Sequence, residues 1–214
     1  MTIYAWPSTV VPNDMSVEFS SNAARNFSPF TGTPRGIGRD AELLRVSMSF
    51  RFLRSASQSL GAAADENTRS TLMGFLAKVS GPEHRIQLPM FARNNLGSWG
   101  GTPLVAGANQ TGKLLNIDAS GQGTSSAYAF AGDWFTVNGE LKIVTDTASI
   151  TSDAATLSIW PPLRSSPDDN AAIDHTTPTG IFMLERDPVF LNAPGPSAFP
   201  FADTSLLLIE DPYQ

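Results

Sequence analysis

Residues 44–52 alternate strictly between apolar and polar side chains. The even positions from Leu44 to Phe52 are apolar, and the odd positions between them are Arg or Ser. Because successive side chains of a β-strand point to opposite faces, this pattern predicts a half-buried strand. Further apolar runs predict strands at 15–19, 84–90, 113–117, 127–130, 155–160, 180–185 and 205–210. The run at 205–210 is apolar on both faces, so we expect it to lie inside a sheet or an interface.

The segment 132–145 carries the strongest local signal in the chain. Two β-rich runs meet there at Asn138-Gly139, a dipeptide typical of two-residue hairpin turns in which both residues take φ > 0. That turn would pair Val137 with Glu140 and, further along the ladder, Trp134 with Ile143. The segment predicts a β-hairpin.

One helix is predicted, over residues 65–80. Its apolar positions recur at helical spacing, and Gly81-Pro82 after it predicts its end. Asp65 or Asn67 would cap its start. The small residues of 55–64 are expected to form a loop before it.

Composition favours a mostly β protein. The chain has 214 residues, of which 41% are hydrophobic and only 16% charged, with 17 Gly and 16 Pro, as suits short strands joined by turns. The net charge of −6 and the scattering of the 14 basic residues argue against nucleic-acid binding. Neither a signal peptide nor a membrane-spanning run is expected. From about residue 92 the runs become shorter, which indicates a separate module.

Candidate chemistry is sparse, and we expect no metal, no cofactor and no catalytic site. His84 and His175 lack partners at ligand spacing. Asp133 and Glu140 flank the hairpin as a glycosidase-like pair would, but carboxylates at hairpin ends are expected to be solvated. The Asp168-Asp169 loop lacks the spacing of a calcium site, so we expect a solvated turn.

Several motifs occur in a specific order along the chain. They are Ser28-Pro29-Phe30-Thr31-Gly32, Gly100–Val105, Gln110-Thr111-Gly112, Gly132-Asp133-Trp134-Phe135, Gly139–Thr145, Pro161-Pro162-Leu163-Arg164 and Pro178–Phe182. Together they resemble the distal tail proteins of long-tailed, siphovirus-type bacteriophages and prophages, structural proteins that join the tail tube to the baseplate. The similarity spans roughly residues 3–190.

The resemblance implies both a fold and an assembly. It implies a ring-forming domain, residues 1–95 and 178–214, built from a β-sheet with one packed helix. A small β-barrel or sandwich, residues 96–177, would be inserted into it. The protein would be a virion component assembled in the host cytoplasm as a homo-oligomer, by resemblance a hexameric ring. Its other partners would be the tail tube protein, the baseplate hub and further tail-tip proteins.

In a ring of this kind, partly apolar interfaces replace an active site. Candidate interface residues are Phe27 and Phe30 on an extended N-terminal arm and Leu206, Leu207 and Ile209 on the last strand; core packing is the alternative for each. We expect deletion of residues 1–38 to leave a protein that folds but does not assemble.

Two other functions stay open. Trp99, Trp134 and Trp160 fall in or beside the central module, where they would stack on sugars in a carbohydrate-binding, host-recognition module. Packing in a core or interface is the other interpretation of these rings. A tail-associated hydrolase is the second alternative, and it would need converging carboxylates or a nucleophile with its base.

Overall fold

The computed structural model describes residues 1–21, 24–28, 30–37, 42–53, 60–91, 94–188 and 201–211. Half of these residues lie in β-strands, and a single α-helix, α1 (Leu60–Val79), occurs among them. The protein is mostly β, as the composition predicts.

The described residues form sixteen strands. They are β1 (Ile3–Ala5), β2 (Asp14–Ser20), β3 (Ala24–Phe27), β4 (Pro34–Ile37), β5 (Leu43–Leu53), β6 (Arg85–Pro89), β7 (Thr102–Val105), β8 (Gly112–Ser120), β9 (Ser125–Ala129), β10 (Trp134–Val137), β11 (Glu140–Val144), β12 (Ala148–Ile150), β13 (Ala154–Leu163), β14 (Ile173–Asp174), β15 (Thr179–Leu184) and β16 (Phe201–Glu210). Every strand predicted from an apolar run is present within a few residues of its expected ends. The strands that the sequence did not predict, β1, β3, β4, β7, β12 and β14, are all four residues or shorter.

The contacts divide the chain into two units. The sheet unit comprises Met1–Glu18, Arg45–Phe91 and Ile181–Asp211, and the barrel unit includes Phe19–Leu44 and Ala92–Gly180. The predicted insertion, 96–177, falls inside the barrel unit. Residues 19–44 also group with the barrel unit, whereas the expected ring domain, 1–95 and 178–214, included them.

The main sheet of the sheet unit has the strand order β1-β6-β15-β16-β5-β2. β16 pairs antiparallel with β15 on one side and β5 on the other. The run at 205–210 therefore lies inside a sheet, which explains why both of its faces are apolar. β1 forms one edge of the sheet, where it pairs parallel with β6, and β2 forms the other edge.

The core of the sheet unit lies between this sheet and α1. Val46, Met48 and Phe50 of β5 are buried, as the alternation predicts; the side chain of Phe52 lies outside the described part of the chain. Trp6 is buried, with its ring stacked on Phe50 at 6.0 Å and edge-on to Phe75 of α1 at 5.4 Å. The N-terminal segment thus contributes to the core.

This packing changes the expectation that the chain folds without residues 1–38. β1, β2 and Trp6 all fall within residues 1–38, so the proposed deletion would remove two strands and a core side chain from the sheet unit. We now expect it to prevent folding of that unit. The part of the arm that forms a separate element is the β3–β4 hairpin.

Helix α1 ends where predicted but begins earlier. Ser80 and Gly81 take left-handed φ values of 54° and 65°, and Gly81–Glu83 continues as a 3-10 turn. The helix starts at Leu60 because the alanines of 62–64 favour helix strongly. Asp65 and Asn67 therefore lie inside the helix and do not cap it.

The barrel unit contains a second six-stranded sheet, with the order β14-β10-β11-β13-β8-β7. Its two edges meet: Val105 N donates to Ala171 O and Asn170 N donates to Val105 O, both at 2.9 Å, beside a bridge between Leu104 and Ala172. The sheet is therefore a nearly closed barrel, a form that leaves few unpaired edges.

The predicted hairpin is confirmed as β10 and β11. Asn138 and Gly139 have φ values of 50° and 76°, and the register pairs Val137 with Glu140 and Trp134 with Ile143. The barrel interior is apolar along most of its length. It contains Trp99, Val105, Leu115, Ile117, Ala119, Tyr128, Ala129, Phe135, Val137, Val144, Ala148, Ile150, Leu157, Ile159, Leu163 and Ile173.

Candidate assembly site

Strands β3 and β4 form a two-stranded sheet of their own, which we name the arm hairpin (residues 24–37). Phe27 pairs with Pro34 in its register. The connection is closed by Gly32 N donating to Ser28 O at 2.9 Å and Ser28 N donating to Thr33 O at 3.1 Å. Gly32 has φ +65°, a conformation that glycine adopts without strain.

The arm hairpin presents two phenylalanines to solvent. The side chain of Phe27 is 68% exposed and that of Phe30 is 96% exposed. An isolated two-stranded hairpin is marginally stable in water, and large apolar side chains left exposed on such an element are candidates for an interaction surface. These two predicted interface residues are therefore available to a partner, and the contact itself stays a prediction.

Phe19, near the end of β2 and before the arm hairpin, packs against the outer face of the barrel. The ring of Phe19 stacks on Trp134 at 6.4 Å and meets Trp160 edge-on at 4.9 Å. Trp134, Ile143 and Trp160 lie in one row across β10, β11 and β13. The neighbouring residue Phe135 points into the core, so this row faces outward.

Glu42, which follows the arm hairpin and precedes β5, is bound to the barrel by an ion pair and a backbone hydrogen bond. The Glu42 carboxylate accepts a hydrogen bond from Lys113 Nζ at 2.8 Å, and its backbone carbonyl accepts one from the Arg164 guanidinium. Glu42 is mostly buried, whereas the Lys113 side chain is 51% exposed. Phe19 and Glu42, on either side of the arm hairpin, thus both contact the barrel. These contacts explain why residues 19–44 group with the barrel unit.

Sequence reasoning missed these attachments. Lys113 and Arg164 lie 71 and 122 residues from Glu42 along the chain, so no local spacing connects them. A signal does exist for Phe19: Trp134 and Trp160 occupy outward positions of strands whose inward positions form the core. Aromatic side chains that share the outward face of one sheet indicate that another segment covers them.

Asp133 is buried, which corrects its expected solvation. Its carboxylate accepts hydrogen bonds from Leu96 N at 2.8 Å, Gly97 N and Phe130 N at 2.9 Å, and Trp99 Nε1 at 2.8 Å. Burial by itself would raise the pKa of Asp133, but these donors outweigh it and lower the pKa. The carboxylate fastens the segment before β7 to the start of the hairpin.

Trp99 belongs to the barrel core. Its ring is buried, stacks on His175 at 5.2 Å and contacts Tyr128 at 5.5 Å. Trp134 is also buried, because Phe19 covers it. Neither ring presents a free face to a sugar. Among the three candidate glycan contacts, Trp160 alone is half-buried, so the carbohydrate hypothesis rests on that residue.

Glu140 and Lys142 form a buried ion pair, which corrects the expected solvation of Glu140. Lys142 Nζ lies 2.6 Å from Glu140 Oε2, donates to Pro162 O at 2.9 Å and is 0% exposed. Glu140 also accepts hydrogen bonds from Arg164 N at 3.1 Å and Ser165 N at 3.0 Å. Burial alone would raise the pKa of Glu140, but Lys142 and these donors lower it.

The structure does not join Asp133 and Glu140 into an acid–base pair. Each carboxylate is saturated by its own set of donors, and both pKa values are lowered, so both groups are held as carboxylates. A glycosidase general acid needs the opposite shift, a raised pKa. This arrangement stabilises the barrel and offers no catalytic acid.

The remaining polar candidates lie apart. His84 contacts Tyr4 edge-on at 5.4 Å in the sheet unit, while His175 stacks on Trp99 in the barrel unit. Burial lowers the pKa of His175, although Asp174 acts to raise it. Asp168 and Asp169 are exposed, as expected. In the described part of the chain, no three His, Asp or Glu side chains are placed to hold a metal.

The last strand divides its apolar residues between two faces. Leu206 and Leu208 are buried in the chain's own core. Leu207 and Ile209 are half-buried on the opposite face. Leu206 is therefore a core residue, and a partner would reach only Leu207 and Ile209 among the candidates on β16.

Comparison with known proteins gives no match, either to a protein-family model or to a curated protein. Among the described residues, no helix has both the length and the apolar character needed to cross a membrane. A functional hypothesis therefore depends on the motifs and on the geometry of this chain.

Proposed function

We propose that this protein is a structural component of a bacteriophage tail tip, where it forms an oligomeric ring that connects the tail tube to the baseplate hub. The single observation that carries the proposal is the arm hairpin with its exposed Phe27 and Phe30. The order of the motifs that resemble distal tail proteins supplies the biological setting.

The arm hairpin supports assembly on energetic grounds. Burying a phenylalanine side chain contributes about 1.5–3 kcal/mol, and this hairpin leaves both of its phenylalanines in water. A partner surface that covers them would stabilise the hairpin and the complex together. A second copy of the chain is the partner that a ring requires.

The architecture is compatible with this role. A sheet with one packed helix and a nearly closed barrel is the plan that the resemblance implies for the ring domain and its inserted module. In the proposed ring, the barrel-borne arm contacts the neighbouring subunit, and Leu207 and Ile209 are available for contacts on the sheet unit. The tail tube protein and the hub would bind opposite sides of the ring.

The mechanism proposed is mechanical. A ring between tube and hub has to hold its neighbours firmly enough to transmit a displacement that starts at the receptor-binding proteins. Large interfaces with apolar centres meet that need. The proposal assigns the chain no reaction, and its site is the virion, after assembly in the host cytoplasm.

The test is the mass of the full-length protein in solution, measured by size-exclusion chromatography with light scattering. We expect a discrete oligomer, and we expect Phe27→Ser/Phe30→Ser to convert it to monomer with unchanged circular dichroism. Leu114→Ser is the control, because Leu114 is an exposed large apolar residue on β8, outside the arm hairpin. It should leave the oligomer intact.

Two outcomes would contradict the proposal. One is a wild-type chain that stays monomeric at every concentration and is absent from assembled tails in electron micrographs. The other is an oligomer that tolerates the double substitution. Binding to a glycan array that disappears in Trp160→Ala would instead favour the carbohydrate-binding alternative.

A further inference from the structure

The turn of the barrel hairpin places an electrophile beside a nucleophile. The side-chain amide carbon of an asparagine can be attacked by the backbone nitrogen of the next residue, and glycine hinders that attack least because it has no Cβ. Asn138-Gly139 is the only Asn-Gly pair in the sequence, and both residues are exposed. The ladder closes with Val137 opposite Glu140, so Gly139 N lies in the turn, outside the ladder.

The amide of Asn138 is held by a neighbouring segment. Its Nδ2 donates a hydrogen bond to Ser165 Oγ at 3.0 Å, and Ser165 Oγ donates in turn to Glu140 Oε1 at 2.8 Å. Nδ2 is the atom that departs when an asparagine loses its amide. The hydrogen bond to Ser165 therefore has to break before the amide can leave.

We propose that Asn138 is a site of spontaneous deamidation and that Ser165 slows the reaction while the barrel is folded. Gly139 N attacks Asn138 Cγ, the new C–N bond forms, and the Cγ–Nδ2 bond breaks. Ammonia leaves with the proton of the Gly139 N–H group, and a cyclic imide remains. Water, the co-reactant, then opens the ring at either carbonyl carbon to give aspartate or isoaspartate. No group is oxidised or reduced, and the proposal does not depend on the assembly role.

The folded turn restrains the reaction further. Ring closure brings Gly139 N to bonding distance of Asn138 Cγ, whereas the left-handed φ values of 50° and 76° and the ladder on both sides fix the backbone of the turn. The reaction should therefore be faster in the unfolded chain than in the folded barrel.

Both products would disturb the end of the hairpin. Each replaces the amide donor of Asn138 by a carboxylate, although the hydroxyl proton of Ser165 is already donated to Glu140. Isoaspartate also adds a methylene group to the main chain of a two-residue turn, whose length sets the register of the strands. Deamidated protein should therefore have a lower urea midpoint, and Asn138→Asp measures the part that comes from charge alone.

The test follows each asparagine of the full-length protein during incubation at mildly alkaline pH. Peptides are analysed by mass spectrometry for the amide-to-acid mass increase, with a sample digested at time zero as the blank. Asn109 and Asn170 are matched internal controls, because both are exposed and both have φ 63°, but Gln110 and Ala171 follow them. We expect Asn138 to convert while both controls keep their amides.

Ser165→Ala tests the protection. Without the hydroxyl, Asn138 should convert about threefold to tenfold faster, the effect expected for one ordinary hydrogen bond. Ser166→Ala is the matched control, because the hydroxyl of this neighbouring exposed serine donates to Pro167 O. Ile117→Val, in the barrel core, controls for general loosening and should raise the rate less than Ser165→Ala. In urea, all of these chains should convert at one rate, faster than the folded wild type.

The two parts of the proposal fail separately. A folded protein in which Asn138 converts no faster than Asn109 and Asn170 contradicts the modification site. If Ser165→Ala converts at the wild-type rate, or if Ile117→Val matches it, the protection by Ser165 is wrong. None of these results depends on the mass of the oligomer, so they leave the test of the proposed function independent.

Discussion

The two units of this protein bury charged side chains to different depths. In the sheet unit, apolar side chains such as Phe50 and Leu72 pack between a sheet and a helix, and the ion pair of Arg85 with Asp211 at the end of β16 keeps side-chain exposures of 15% and 10%. The barrel unit also has an apolar interior, but the lysine of its Glu140–Lys142 pair is 0% exposed. An apolar core responds mainly to changes in volume, whereas a buried ion pair fails when it loses one partner.

The largest expected effect comes from removing one charge of the buried pair. Lys142→Met keeps the approximate volume but leaves Glu140 buried without its cation, which should lower the free energy of unfolding of the barrel by about 3–5 kcal/mol. Urea denaturation followed by tryptophan fluorescence measures it, because three of the four tryptophans, Trp99, Trp134 and Trp160, lie in the barrel unit; Trp6→Phe removes the signal of the sheet unit.

Leu72→Met is the matched control in the sheet unit, where the same incoming side chain replaces a buried leucine. It should cost less than about 1.5 kcal/mol, read from the circular dichroism of α1. Adding Glu140→Gln to Lys142→Met should recover part of the loss. Equal costs for the two methionine variants would remove the contrast between the units.

A second way to break the barrel is to weaken the acceptor at Asp133. In Asp133→Asn, one carboxylate oxygen becomes an NH2 group that faces N–H donors and cannot accept from them. We expect a loss of about 2–3 kcal/mol and a red-shifted fluorescence of Trp99, whose indole N–H would lose its partner. Asp168→Asn, at an exposed position, should change neither property; a stable Asp133→Asn barrel would show that backbone packing suffices.

Acid should weaken the barrel through the same groups. The pKa values of Asp133 and Glu140 are lowered from 3.8 and 4.5, so their contribution is complete above those values and is lost as the pH falls through the folded pKa. The pKa of His175 is lowered from 6.5, so its contribution declines from pH 6.5 downward. Urea midpoints measured by fluorescence across this range should therefore fall in two stages.

The histidine stage can be isolated. His175→Gln should abolish the decline that begins at pH 6.5 and leave the carboxylate stage in place. A barrel whose midpoint is constant from neutral pH down to the carboxylate range would contradict the assignment for His175.

The smallest effects concern glycine, and they should have opposite signs in the two units. Gly139 has φ 76°, so Gly139→Ala should destabilise the barrel hairpin by about 1–2 kcal/mol. Gly74 lies in α1 with open space where a Cβ would stand, so Gly74→Ala should stabilise the sheet unit by up to about 1 kcal/mol. Thermal melts of the two variants measure the difference, and shifts of the same sign would contradict it.

Periodic features were predictable from the sequence because their cause is local. The alternation of residues 44–52 and the Asn138-Gly139 turn specify a strand and a hairpin by themselves, and both are present. The early start of α1 was missed because Gly and Ala were taken as loop residues, although Ala62, Ala63 and Ala64 favour helix.

The polar contacts could not be predicted for the opposite reason. Asp133 and Glu140 are ordinary hairpin acids until donors from distant segments meet them, and Glu42 finds Lys113 only when the arm returns to the barrel. The burial of the tryptophans could not be predicted for the same reason. Trp99, Trp134 and Trp160 share a residue type but differ in which segments cover them. Phe27 and Phe30 were predicted as interface residues because they lie on an extended N-terminal segment. Both side chains are exposed, and their contact with a partner stays a prediction.

The position of β16 at the centre of its sheet has a consequence for biosynthesis. β16 lies between β15 and β5, yet β5 ends at Leu53 and β16 begins at Phe201. The described strands of the barrel unit all leave the ribosome before β16 does. Domains generally fold as units during synthesis, so the barrel can be complete while β5 still waits for its neighbour. A nascent chain halted before residue 201 would carry a finished barrel and an exposed strand edge that other chains can pair with.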